Sequence, residues 1–239
     1  MKICVYTAVY GGYDDLKCWP RQTVDADFIC FADEVRSTSV NGWTVVAAPN
    51  VGGHPRMQAK FFKILSHRVF PRGRLAWRYH RVGALLRRRP RYDVLVWIDG
   101  SIRIRSPRFI EEFIAWIGPS GWAMFKHPDR NCIYEELVAS LPMRKYCNQP
   151  LAQQVAAYGA ERYPARRGLM ACGLIARRAD DPRHVRINEA WWQENLRWSC
   201  QDQLSLPVVL WRMGLSCESV TMNLWDNPWF DWIPHTSDA

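Results

Sequence analysis

The sequence predicts a single mixed α/β domain, on three observations. Short apolar runs rich in β-branched and aromatic residues recur along the chain, each is closed by glycine or an acidic residue, and segments with helical apolar spacing fall between them. Runs of this kind read as strands buried on both faces, the pattern of parallel strands covered by helices. A chain of 239 residues with 48% hydrophobic residues is too apolar for disorder. It matches one α/β domain of roughly 200–250 residues.

Taken in order, Lys2–Val9 is a predicted strand ending at Gly11-Gly12, residues 27–32 a second ending at Asp33-Glu34, and residues 43–48 a third. A helix follows, with Met57, Phe61, Ile64 and Leu65 on its apolar stripe and Lys60, Lys63 and His67 on a neighbouring one. Residues 94–98 form the fourth predicted strand, which delivers Asp99 to an Asp-Gly turn. Ser106 followed by Pro107 predicts an N-cap and first position for a helix reaching Ile117. Beyond it the pattern predicts a strand at 122–125, helices at 131–140 and 151–158, a strand at 169–176 and a helix at 185–198. A last helix, at 203–213, must accommodate Pro207.

Charge and cysteine usage narrow the function. The 32 Lys+Arg and 23 Asp+Glu give a net charge of +9. The segment from Arg68 to Arg108 holds twelve Arg against only Asp93 and Asp99, so the excess is local. A nucleic-acid protein would instead be basic over a face built from several segments, and no nucleic-acid partner is expected. Eight cysteines are scattered with no C-x-x-C pair, and several sit in apolar runs as small hydrophobes. With no signal-peptide pattern at the start and no apolar run of spanning length, the expectation is a cytoplasmic protein.

The strongest chemical signal is Asp99, a carboxylate at the exposed end of an apolar strand. There it could hold a hard divalent cation with phosphate oxygens, or simply cap a turn. Six blocks then occur in order: Val5–Asp14, Asp27–Asp33, Lys63–Arg68, Trp97–Ser101, Lys126–Glu136 and Asp202–Ser205. Together they resemble the glycosyltransferase-like family of the plant turgor-regulation and seed-mucilage proteins.

The resemblance implies a single-domain, Rossmann-like nucleotide-diphospho-sugar transferase fold of the A type with a mixed central sheet, and a hexosyltransferase-type enzyme of polysaccharide biosynthesis. Its donor would be a nucleotide-diphosphate sugar and its acceptor a glycan or lipid. Tyr6, Thr7, Ala8, Gly11, Gly12 and Asp33 would surround the base and ribose, although a glycine pair also simply makes a turn. Lys60, Lys63 and His67 would meet the diphosphate or the sugar. Asp99 would stand in the metal-binding Asp-x-Asp element for Mn²⁺ or Mg²⁺, with Ser101 in place of the second carboxylate and His235 completing the site. Asp202 and Gln203 would lie beside the anomeric carbon, with Asp202 as general base in an inverting enzyme or as front-face stabiliser in a retaining one. His127 and Arg130 would bind the acceptor or brace the phosphates. Trp229, among Trp225 and Trp232 with interleaved Asp226, Asn227 and Asp231, would offer an aromatic face to an acceptor sugar.

Two other functions compete. A basic anion-binding module would use the Arg-rich stretch and would need neither Asp99 nor the Asp202-Gln203 pair. A ceramidase-like amide hydrolase, an activity attributed to one plant member, would need closely spaced zinc ligands, and no H-E-x-x-H pair is present. Against the family blocks, residues 73–91 read as an insertion. Leu75, Tyr79, Val82 and Leu86 lie on one helical stripe and Arg74, Arg78 and Arg81 on another. That is a basic amphipathic helix, either packed on the domain or in peripheral contact with anionic membrane at the inner face.

Overall fold

A computed structural model describes residues 1–48, 53–70, 91–179, 181–233 and 235. The predicted basic helix at 73–91 therefore lies, apart from Arg91, outside the described residues. Ten strands and seven α-helices follow one another among those residues.

The first half builds the parallel part of the sheet. β1 (Ile3–Val9), β2 (Ala26–Ala32) and β4 (Trp43–Ala47) lie side by side in parallel, and the two-residue β3 (Ser39–Val40) adds an antiparallel edge to β4. The chain then forms α1 (Pro55–Ile64) and the single turn α2 (Ser66–Val69), and returns as β5 (Val94–Ile98) on the other side of β1. His54 caps α1 by accepting the Arg56 N–H on its side chain, with Pro55 in the first turn, where its missing N–H costs nothing. The second half contributes β7 (Trp122–Lys126) and β8 (Met170–Arg178), antiparallel to each other, and β9 (Glu218–Val220), parallel to β7. The eight-stranded order is β3-β4-β2-β1-β5-β8-β7-β9, a mixed sheet. β6 (Ile102–Ile104) and β10 (Phe230–Trp232) pair separately as an antiparallel ribbon.

Alternation along the strands decides which residues face which layer. Cys4, Tyr6, Ile29, Phe31, Leu95 and Trp97 pack under α1, α6 (Pro182–Arg197) and α7 (Asp202–Met213), supplied by Phe62, Trp191 and Val209 among others. Their neighbours Val5, Phe28, Cys30, Val94 and Val96 pack on the opposite face against Phe109, Ile110 and Phe113 of α3 (Phe109–Ala115). A third cluster joins α4 (Ile133–Ser140) and α5 (Leu151–Ala160) to α7 through Ile133, Tyr158 and Leu204. Phe70, after α2, and Tyr92, before β5, meet edge to face at 5.8 Å.

Several boundaries differ from the sequence expectation for local reasons. Ser106 does not cap a helix beginning at Pro107. Its Oγ accepts the Arg108 N–H, which makes residues 106–108 a turn, and α3 starts at Phe109. α6 starts three residues earlier than expected, because the Asp181 side chain accepts the Arg183 N–H and Pro182 occupies the first turn. β3, β6, β9 and β10 were not anticipated. α7 carries Pro207 within its buried helix and ends on Gly214 in the left-handed region, at φ 63°.

The ladder between β7 and β8 shifts register after Met124, whose partner is Ile175 while Phe125 faces Ala171. Gly173 lies in that irregularity, and its carbonyl accepts the Asp99 N–H at 2.9 Å. A Cβ on Gly173 would lie 2.5 Å from the Trp232 ring and 3.3 Å from Asp99 Oδ2. Gly173→Ala is therefore expected to displace the Trp232 indole and cost about 1–3 kcal/mol by overpacking. The measurements are the urea midpoint and the near-UV circular dichroism of the tryptophans.

Candidate active site

In an open α/β sheet, ligands bind at the carboxyl ends of the strands where the strand order reverses direction. Here β2 and β4 extend from β1 to one side and β5 to the other, so the reversal falls between β1 and β5. A cleft of about 210 Å³ lies at that point, with Ala8 to Gly11 from the β1 end and Trp97, Asp99 and Gly100 from the β5 end. Arg56, Lys60 and Lys63 of α1 line it from one side, and Lys145 and Tyr146 close another. The chain can turn sharply over α1 because Gly11 has φ 64°, where a Cβ would be strained and only 3.1 Å from the Pro55 ring.

The centre of the site is ionic and almost dry. Lys63, only 1% exposed, places Nζ 2.7 Å from Asp202 Oδ2 and 3.4 Å from Asp99 Oδ1. Lys60 Nζ lies 2.5 Å from the same Asp202 oxygen, so two ammonium groups share one carboxylate oxygen. Burial pushes the Asp202 pKa up, but Lys60 and Lys63 overcome it and hold the carboxyl down at about 2. Burial likewise disfavours the charged Lys63, and Asp202 and Asp99 more than reverse this, leaving its pKa above the ordinary lysine value. Asp99 Oδ1 also accepts the Trp97 indole N–H at 2.6 Å. Lys145, by contrast, has no carboxylate partner among the described residues; burial together with the Lys60 and Arg56 charges lowers its pKa.

The opposite wall is a chain of contacts. His235 Nδ1 lies 3.0 Å from Asp14 Oδ1, and its ring lies 4.2 Å from that of Tyr13. The Arg56 guanidinium sits 4.2 Å over the Tyr13 ring and donates to its hydroxyl at 2.8 Å.

Lys60, Lys63, Asp99, Ala8, Gly11 and His235, separated by up to 227 positions in sequence, thus meet in one cleft. Other expected residues lie elsewhere. Tyr6 and Thr7 are buried beneath the cleft, Tyr6 against Phe70 and Trp97. Asp33 accepts the Gly11 N–H at 2.9 Å and so shapes the glycine turn; Gly12 continues that turn with φ 62°. Ser101 is buried, and its carbonyl accepts the Ile233 N–H. His67 is not on the lysine stripe, because α1 ends at Ile64 and Leu65 takes a non-helical conformation. The turn rotates His67 onto Glu189 of α6, at 2.7 Å.

Gln203 donates to the Met170 carbonyl at 3.0 Å. His127 and Arg130 brace the buried Glu136, whose Oε1 accepts from Gln201, the residue just before Asp202. Trp229 packs against Trp116 and donates its indole N–H to Glu112, away from the cleft. Residues not anticipated are Asp14, Arg56, Tyr146 and Lys145. Arg56 could have been found, since 56, 60 and 63 follow the same helical stripe, whereas Lys145 comes from a short 3₁₀ turn with no local signal.

For a metal, the donor set is poor. Asp99 already meets Lys63 and Trp97, Ser101 contributes no carboxylate, and His235 is engaged by Asp14. Among the described residues no three His, Cys, Asp or Glu side chains converge to hold one ion. The side chains present do not make a ready Mn²⁺ or Mg²⁺ site.

Breaking the ion cluster has a sign and a size. Asp202→Asn leaves two ammonium groups facing a neutral amide and is expected to cost roughly 3 kcal/mol. The Asp202 pKa of about 2 lies below its unfolded value of about 3.9. Its contribution is therefore present above about pH 4 and is lost as the pH falls toward 2. Urea unfolding at several pH values should show an acid limb that is shallower in the Asn variant.

A family model, described as TOD1/MUCI70, glycosyltransferase-like domain, matches residues 1–233. No curated protein matches the chain. With the model spanning nearly the whole sequence, the chain belongs to the TOD1/MUCI70 glycosyltransferase-like domain family.

Proposed function

We propose that this chain is a glycosyltransferase of the A-type nucleotide-diphospho-sugar fold, moving a sugar from a nucleotide diphosphate to a glycan or lipid acceptor. The observation that carries this reading is the cleft at the β1–β5 reversal, where Arg56, Lys60, Lys63 and Lys145 face Asp14 and Asp99. With Asp202 beneath Lys60 and Lys63, four cations face three carboxylates, and the net positive charge favours an anionic ligand. The Gly11 turn admits close backbone approach, as a nucleotide requires.

The diphosphate would be held by Lys145, Lys60 and Arg56, and its charge offset by them rather than by a bound ion. Asp202 binds a proton too weakly for an efficient general base near neutral pH. It would serve as a fixed negative charge that aims Lys60 and Lys63 and faces positive charge developing at the anomeric carbon. Nothing in the cleft's geometry favours amide hydrolysis, and seven of the twelve Arg on which an anion-binding module would rest lie outside the described residues.

The test is a thermal-shift and calorimetric screen of nucleoside diphosphates and their sugars, with Mn²⁺ or with EDTA. At least one nucleotide should stabilise the protein, and the shift should persist in EDTA. Lys145→Ala, which removes a cation without breaking an ion pair, should weaken nucleotide binding about tenfold while leaving the melting temperature of the free protein nearly unchanged. A folded sample that no nucleotide stabilises would overturn the transferase reading.

A further inference from the structure

A second depression opens from the cleft and is larger, about 610 Å³. It runs between the start of α1, the segment 144–149 and the end of α6 with the following turn, residues 195–200. His54, Arg56, Lys145 and Cys200 line both spaces, so the two are continuous.

The lining of this groove has a definite chemistry. Arg56, Arg144 and Lys145 line it, and among the described residues no Asp or Glu does. Trp198 provides a half-buried aromatic face, with the Arg197 guanidinium 4.9 Å from its ring. Apart from the cysteines, the apolar side chains are Met57, Leu196 and Trp198, a platform for a ring rather than a channel for an acyl chain. Asn195 also lines it; it is 3% exposed, and its Nδ2 donates to the Trp191 carbonyl at 2.9 Å and to Ser205 Oγ at 3.1 Å.

We propose that this groove is the acceptor subsite and that it takes an acidic oligosaccharide. Carboxylate-bearing sugars would meet Arg144 and Lys145, and one ring would lie against Trp198. The acceptor role rests on the transferase reading, because it needs a donor in the adjoining cleft. This assignment moves acceptor binding away from His127, Arg130 and Trp229, which do not line the groove.

The experiment titrates the protein, by calorimetry and tryptophan fluorescence, with hyaluronan hexasaccharide, neutral chitohexaose, a hexaglutamate peptide and hexathymidylate. Hyaluronan hexasaccharide is expected to bind at least about tenfold more tightly than the other three, and Arg144→Glu or Trp198→Ala to weaken it about tenfold. Arg186→Glu, the same charge change at an exposed position near the other end of α6, should alter it less than about twofold. Equal binding of chitohexaose, tighter binding of the peptide or the oligonucleotide, or an unaffected Arg144→Glu variant would overturn the proposal.

A parallel nucleotide titration separates the two readings. Nucleotide binding without hyaluronan binding overturns the acidic acceptor alone. Hyaluronan binding without any nucleotide binding removes the acceptor role.

Discussion

The buried ammonium of Lys63 is the constraint on which the site depends. Its side chain joins α1 to the end of β5 through Asp99 and to the start of α7 through Asp202, while its carbonyl accepts from Arg177 of β8. Arg177 is itself 1% exposed, lies 5.2 Å from the Trp122 ring, and also donates to Asn188 of α6. Four elements distant in sequence are thus oriented by one residue. A buried pair of this kind gains little net stability over a well-packed apolar substitute, but it is sharply intolerant of losing a single partner. What it secures is geometry: Asp202 cannot turn away without taking the carboxylate from Lys60 and leaving Lys63 with Asp99 alone.

The same arrangement sets the electrical character of the cleft. Asp202 is spent on Lys60 and Lys63, and Asp99 is shared with Lys63 and the Trp97 indole, so the inner carboxylates are offset before any ligand arrives. Lys145, which lines both the mouth and the adjoining groove, then adds a positive charge there. Behind Asp202, the Arg130–Glu136–Gln201 contacts fix where α7 begins. Residues that resembled ligand contacts in sequence thereby support Asp202, which in turn holds the cleft-lining Lys60 and Lys63.

Much of the fold was legible because the sheet is buried on both faces. The four strands β1, β2, β4 and β5 are written as continuous apolar runs, and their ends, with Gly11, Asp33 and Asp99, mark the edge where the cleft forms. The strands that were missed have two or three residues and exist only through distant partners, as when Phe230 pairs with Ile104. Local pattern carries no trace of such pairing. His67 shows the opposite failure: helical spacing was extended across Leu65, where the backbone leaves the helix, and the stripe ended with it. Lys145 reached the cleft only because α4 and α5, which flank it in sequence, pack on α7 through Ile133, Tyr158 and Leu204, a tertiary fact that no window of sequence contains.

The contact between Phe70 and Tyr92 has a consequence for how this domain can vary. The two rings meet at 5.8 Å, and Tyr92 is fastened in turn to Asp27 at the start of β2, at the sheet edge opposite the cleft. Phe70 and Tyr92, which flank positions 71–90, therefore lie side by side at the trailing edge. The free energy of joining two fixed points of a chain grows only slowly with the number of residues between them. The length and charge of that interval, which holds seven of the chain's arginines, can thus change without moving the residues that line the cleft.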